Sequence, residues 1–187
     1  GRPQPVLIAL VERLSAEIKG LIETRVNPAR GRLVLDLGEI TAEMVDQAGG
    51  KCANLGEIAG RVGLPVPPGF AVTTAAFQAF FEEAGLYETI ASIRLGIAPD
   101  DPASMAAAAE DIQAAILRAP LPGAVARDID AAAGRLETVL GPGMRLAARS
   151  SAIGEDGELS FAGQCLTMLN VTRDRLASSY KFVIASL

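Results

Sequence analysis

The chain has 187 residues, half of them apolar, and 17 basic against 22 acidic side chains give a net charge of −5. That balance argues against nucleic acid or an anionic membrane surface as a partner through bulk charge. No apolar run is long enough to span a bilayer. Histidine is absent, which excludes histidine bases, histidine metal ligands and phosphohistidine intermediates within this chain.

Only 4% of the residues are aromatic and none is Trp, so the core must be built from Ala, Leu, Ile and Val. Two cysteines do not make a disulfide framework, and no signal-peptide pattern precedes the first predicted element. A reducing cytoplasm is the expected location. The chain opens on Gly1 and closes inside a helical pattern at Leu187, so it is expected to be a piece of a longer protein.

Pro5 to Thr24 is predicted as one helix. Leu7, Val11, Leu14, Ile18 and Leu21 form a narrow stripe on it. The stripe suits packing on its own domain or pairing with a partner, and a homodimer through residues 7–21 is one expectation. Asn27-Pro28-Ala29-Arg30-Gly31 breaks the helix. Arg32 to Ile40 is predicted as a strand in which Leu33, Leu35 and Leu37 alternate with Val34 and Asp36. Thr41 is a candidate cap for a helical turn through Val45.

Gly49-Gly50-Lys51 then precedes a helix expected from about Cys52 to Val62, with Ala53, Leu55, Ile58, Ala59 and Val62 on one apolar side and Gly63 as its stop. Two glycines and a lysine at a helix N-terminus suit an anion, because amide donors, the helix dipole and a mobile ammonium converge there. The spacing does not satisfy the Walker A pattern.

Leu64-Pro65-Val66-Pro67-Pro68-Gly69 is a stiff entry to a strand through Val72. Thr73 or Thr74 caps the next helix, which carries Phe77, Phe80 and Phe81 toward the core and stops at Gly85. A short helix is expected over Tyr87–Leu95. Asp101-Pro102 opens an alanine-rich helix to Arg118, and another runs from Gly123 to Leu140 before Gly141-Pro142. Residues 74–141 therefore read as a helical section.

Leu146 to Val171 reads as a buried strand, a polar loop and a second strand. Arg149-Ser150-Ser151 at the strand end is a candidate anion grip, because a guanidinium offers a planar fork of donors suited to phosphate. The loop carries Glu155, Asp156 and Glu158, then Ser160-Phe161-Ala162-Gly163-Gln164. Its acids are read as solvated, not as metal ligands. Thr172 is expected to cap a last helix bearing Leu176, Phe182 and Val183.

The ordered blocks GGKCANLGEI, GLPVPPGFAVTT, AARSSAIGEDGELSFAGQ and TMLNV resemble the start of the pyruvate phosphate dikinase and phosphoenolpyruvate synthase family. The resemblance covers about Val34 to Leu187. It implies an α+β fold: an incomplete ATP-grasp lobe with a small mixed sheet and an inserted helical subdomain, preceded by an N-terminal helix. Residues 1–31 would link to an upstream region, and 32–187 would form the N-terminal part of the nucleotide-binding domain.

The resemblance also implies roles. Lys51 and Arg149 would contact the transferring phosphates of ATP, with Ser150 beside them. Ser160, Phe161, Ala162, Gly163 and Gln164 would cover the phosphates, with Thr167 behind. The Mg²⁺ ligands and the adenine-binding segment would lie beyond Leu187, so no metal ligand is assigned here. Pyruvate and phosphoenolpyruvate would be met through other domains, after transfer to a histidine outside this chain. Rifampicin phosphotransferase shares the front half with a different acceptor. A degenerate lobe serving regulation is a further reading. Cys52 stands where a small residue such as Gly is common in the family. Cys52 and Cys165 flank the expected phosphate loops, which makes a redox link between them an expectation to test.

Overall fold

A computed structural model describes residues 31–151 and 166–186. The chain divides into Gly1–Arg30 and Gly31–Leu187, and every described residue belongs to the second unit. The predicted helix Pro5–Thr24, its dimer stripe and the segment Ser160–Gln164 lie outside the described residues.

The first strand, β1, is Val34–Asp36. It is shorter than the predicted Arg32–Ile40, because Leu37–Glu39 turns into a 3-10 helix. Thr41 and Ala42–Met44 lead into α1, Val45–Ala48, without a side-chain capping bond from Thr41. Helix α2 is Gly50–Glu57, and Ile58–Val62 continues it as a π-helical turn closed by left-handed Gly63. Strand β2, Phe70–Val72, pairs antiparallel with β1 in the register Val34↔Val72, Leu35↔Ala71, Asp36↔Phe70.

Helices α3 (Thr74–Glu83), α4 (Leu86–Leu95), α5 (Pro102–Arg118) and α6 (Gly123–Leu140) follow one another. Strand β3, Leu146–Arg149, pairs antiparallel with β4, Thr167–Val171. Helix α7, Leu176–Ala185, closes the described chain. The fold is α+β, but among the described residues the strands form two separate antiparallel pairs, not one mixed sheet.

Side-chain caps account for the starts of α3 and α5. The Thr73 hydroxyl accepts from the Ala76 amide and donates to the Arg32 carbonyl at 2.8 Å, so one buried residue caps α3 and ties it to the approach to β1. Asp101 accepts from the Ala103 amide at 3.0 Å, and Pro102 occupies the first position of α5, where its missing N–H costs nothing. Lys181 on α7 donates to the Ala119 carbonyl at 2.7 Å and so satisfies the end of α5. Thr172 precedes a 3-10 turn, Arg173–Arg175; its carbonyl accepts the Arg175 amide at 3.0 Å, but its side chain makes no capping bond.

Three apolar clusters hold the elements together. Val34, Ala76, Val125, Ile129, Ala132, Ala133, Val171 and Leu176 form the main one. Phe80, Phe81, Leu86, Ile116, Ala119 and Ile184 form the second, at the helical end. Leu35, Ile40, Ala48, Ala53 and Ala71 form the third. Val34 and Leu35 are both buried yet face opposite sides of β1, as adjacent strand residues must. The expected alternation of a half-buried strand is therefore absent, because both faces are covered.

Two other expectations change. Of the predicted apolar side of the GGK helix, Ala53 is buried, but Leu55, Ile58 and Val62 are exposed. Phe182 is exposed as well, while Val183 and Ile184 take the core side of α7. The π turn re-phases the residues after Glu57, which a 3.6-residue period does not anticipate.

Phe80 is fully buried and meets Phe81 edge to face at 5.8 Å. Phe80→Ala should therefore cost about 3–5 kcal/mol in urea unfolding. Arg173 forks onto Asp130 through Nε and Nη2 at 2.7 and 2.8 Å and reaches Glu137 through Nη1 at 2.9 Å. The Arg173 hydrogen bonds hold the Asp130 carboxyl below its ordinary range. The stability this contributes is present above the unfolded carboxylate's pKa and is lost as pH falls through the lower folded value. Acid unfolding should show that loss in the native protein, and Arg173→Gln should flatten it.

Candidate functional site

The third cluster positions the GGK segment. Leu35 and Ala71 of the β1–β2 ribbon pack with Ala48 of α1 and Ala53 of α2. Gly56 has no Cβ, and one built there would overlap the Ile40 carbonyl, so α2 lies directly on that backbone. Between α1 and α2 the chain turns at Gly49, with φ 78° and ψ 164°. Only glycine occupies that region readily. Gly49 accepts the Ala53 amide at 3.1 Å, so it is the cap residue of α2, with Gly50 and Lys51 as the first two helical positions.

A glycine cap has no side chain to satisfy the first-turn amides. The partner comes from 99 positions away: the Cys52 amide donates to Ser151 Oγ at 3.1 Å. Alongside it, Lys51 Nζ donates to the Ser150 carbonyl at 3.4 Å. A Cβ on Gly49 would overlap the Ser151 carbonyl, so the two backbones touch where the glycine is. The end of β3 is thus docked on the N-terminus of α2.

On β3, Leu146 and Ala148 turn toward the main core, while Ala147 and Arg149 are exposed. Thr167 is the register partner of Arg149 on β4 and is also exposed, so the two stand opposite each other. Ser150 is buried at 6% exposure. The structure therefore gathers Lys51, Ser150 and Ser151, with Arg149 adjoining and Thr167 across from it. Ser160, Phe161, Ala162, Gly163 and Gln164 fall outside the described residues.

The sequence places Ser151 in the anion grip and Gly49 in the glycine-lysine turn, but it does not show that the Ser151 hydroxyl caps the helix that Gly49 opens. The signal for Ser151 was a helix opening on two glycines with no capping side chain of its own.

Burial pushes the Cys52 thiol up, against smaller opposing effects of the Ser151 hydrogen bond and the Lys51 charge. A thiol held protonated is a poor nucleophile, so the premise of a reactive, low-pKa Cys52 does not hold. Cys165 lies outside the described residues. Among the described residues no group of three or more Asp, Glu, Cys or His could hold a metal ion, and no helix is long and apolar enough to cross a membrane. An open cleft of 310 Å³ is lined by Leu37, Ala59, Val66, Pro67 and Val139 among others. It includes none of the candidate site residues, and its Arg135 is already forked onto Asp36 at 2.9 and 3.0 Å.

Residues 45–187 match the family model described as pyruvate phosphate dikinase, AMP/ATP-binding domain. The chain belongs to this family. The matched span begins at α1 and takes in both the GGK helix and the Arg149-Ser150-Ser151 strand end. The family member from Staphylothermus marinus named "Probable phosphoenolpyruvate synthase" is 40% identical over 148 residues, covering 77% of this chain and 18% of that protein. The phosphoenolpyruvate synthase of Aeropyrum pernix is 40% identical over 167 residues, covering 83% of this chain and 19% of that protein. A rifampicin phosphotransferase of a Streptomyces species is 37% identical over 142 residues, covering 75% of this chain and 16% of that protein. The chain thus spans less than a fifth of the length of these curated relatives.

Within this family domain, β1 lies ahead of the matched span yet supplies the ribbon on which the GGK helix rests. Gly49→Ala should cost about 1–3 kcal/mol or more, since it combines a glycine-only conformation with backbone overlap. Denaturant unfolding of the variant beside the parent measures it.

Proposed function

We propose that this chain supplies the phosphate-gripping part of the ATP site of a phosphotransferase that makes or uses phosphoenolpyruvate. The observation that carries the reading is the docking of the GGK helix N-terminus on the Arg149-Ser150-Ser151 strand end, through the Lys51–Ser150 and Cys52–Ser151 bonds. The family match and the relatives' names support it.

In this reading Lys51 places a mobile ammonium at the positive end of α2, where phosphate oxygens would sit. Arg149 offers its planar fork from the neighbouring strand end. Charge on the transferring phosphoryl oxygens is stabilised by donors already in position, which is the main protein contribution to such a reaction. Ser150, Ser160, Phe161, Ala162, Gly163, Gln164 and Thr167 would enclose the phosphates. Mg²⁺ would offset phosphate charge when bound. By the family resemblance its ligands would lie beyond Leu187.

The whole protein would convert pyruvate and ATP to phosphoenolpyruvate and AMP, with water or phosphate as the second phosphoryl acceptor. A histidine on another domain would carry the phosphoryl group between ATP and pyruvate. A cytoplasmic location goes with that chemistry. This chain alone would hold half a nucleotide site and be inactive. The similarity to a rifampicin phosphotransferase favours a second reading, in which the same phosphate grip serves a different acceptor.

Lys51→Ala and Arg149→Ala in the full-length protein should each slow ATP-dependent phosphotransfer by about 10²–10³-fold, the usual effect of removing one such donor. Both variants should keep the wild-type circular dichroism spectrum. Full activity in both would overturn the assignment. Assaying AMP formation with pyruvate and with rifampicin separates the two acceptor readings.

A further inference from the structure

The geometry points to Ser151 as a positioning residue: its hydroxyl fixes the N-terminus of α2 against the end of β3, and so sets where Lys51 and Arg149 meet a common phosphate chain. This inference rests on the ATP-site reading above.

Four observations converge on it. The cap position of α2 is Gly49, which can offer no side-chain acceptor, although Ser, Thr, Asp or Asn usually fills that role. Ser151 Oγ supplies the missing acceptor to the Cys52 amide at 3.1 Å, immediately beside Lys51. The backbone of Ser151 lies where a Cβ of residue 49 would be, so the hydroxyl is held at that amide by a contact that only glycine permits. The Lys51 ammonium is bonded to the carbonyl of Ser150, the next residue along the same strand end. Ser151 thus joins the start of the helix that carries Lys51 to the strand end that carries Arg149.

The chemistry gives this consequence. Two cations grip one phosphate chain well only if their separation matches it, and small misplacements at such sites are costly. Without the Ser151 hydroxyl, the Cys52 amide loses its acceptor and the helix end is free to shift relative to Arg149. Both cations remain present, so binding should weaken without being abolished.

The test titrates ATP with Mg²⁺ into the full-length protein by calorimetry, for wild type, Ser151→Ala and Ser151→Thr. Amide hydrogen exchange at Cys52 and the thermal midpoint are measured on the same samples. Ser151→Ala should weaken ATP binding about five- to tenfold, the scale of losing one helix cap. It should also speed exchange at Cys52 and leave the thermal midpoint close to that of wild type. Ser151→Thr, which keeps the hydroxyl, should restore both affinity and protection. Wild-type affinity in Ser151→Ala overturns the positioning role, whether or not exchange at Cys52 changes. Should Ser151→Ala fail to fold, an unprotected Cys52 amide in the wild type, or a folded Ser151→Thr that binds as weakly as a capless helix, overturns it equally. Failure of the wild type to bind ATP is a different result, which removes the nucleotide reading itself and the inference with it.

Discussion

A three-residue strand covered on both faces is the constraint on which the rest depends. Val34 enters the main core with α6, β4 and α7, while Leu35 enters the smaller cluster with α1 and α2. Neighbouring strand residues must point apart, so β1 can serve two cores only by giving one residue to each. The antiparallel partner β2 and the bonds Thr73 N–H to Leu33 and Leu37 N–H to Gly69 extend the ribbon beyond its three paired residues. The helix bearing Lys51 is attached through this ribbon. Burial of Leu35, Ala53 and Ala71 holds the body of that helix, and the Cys52–Ser151 bond fixes its N-terminus.

The electrostatics of the site run against the usual rule for helix ends. The first turn of α2 holds no acidic residue, and Lys51 sits there instead, at the end where the helix already presents positive partial charge. Arg149 stands one residue from Ser150, whose carbonyl receives the lysine. That carbonyl offsets the unfavourable placement of Lys51 at the positive end of the helix. Arg32 pairs with Glu39, Arg61 with Glu57, Arg135 with Asp36, and Arg173 with Asp130 and Glu137.

Much of this was legible in the sequence. The proline and aspartate at 101–102 and the alanine-rich run fix α5, and Thr73 with its phenylalanines fixes α3, because caps and apolar spacing are local signals. The pair of hydroxyls after Arg149 and the two glycines before Lys51 were visible too, but their mutual contact was not. It depends on chain segments 99 residues apart meeting, which no local pattern encodes. The length of β1 was overread because a run of leucines has no period of its own when both faces are buried. Leu55, Ile58 and Val62 were assigned to a core they do not enter; for Ile58 and Val62 the π turn shifts the phase after Glu57. β4 carries a similar irregularity. Its ladder slips between the pairs Leu146↔Val171 and Ala148↔Met168, and Asn170 takes a positive φ of 57°.

Arg173 acts as a ruler laid along α6. Its two carboxylate partners are seven residues, or about two helical turns, apart. A planar guanidinium reaches both ends at once, whereas a lysine, a compact point charge, would have to choose one. Midway between them is Gly134, where a Cβ would come within 3.4 Å of the guanidinium nitrogens. That is ordinary van der Waals contact, so the guanidinium lies flat on the helix at this point, with room for a methyl group beneath it and no more. The bare backbone of Gly134 is the bed on which the ruler rests.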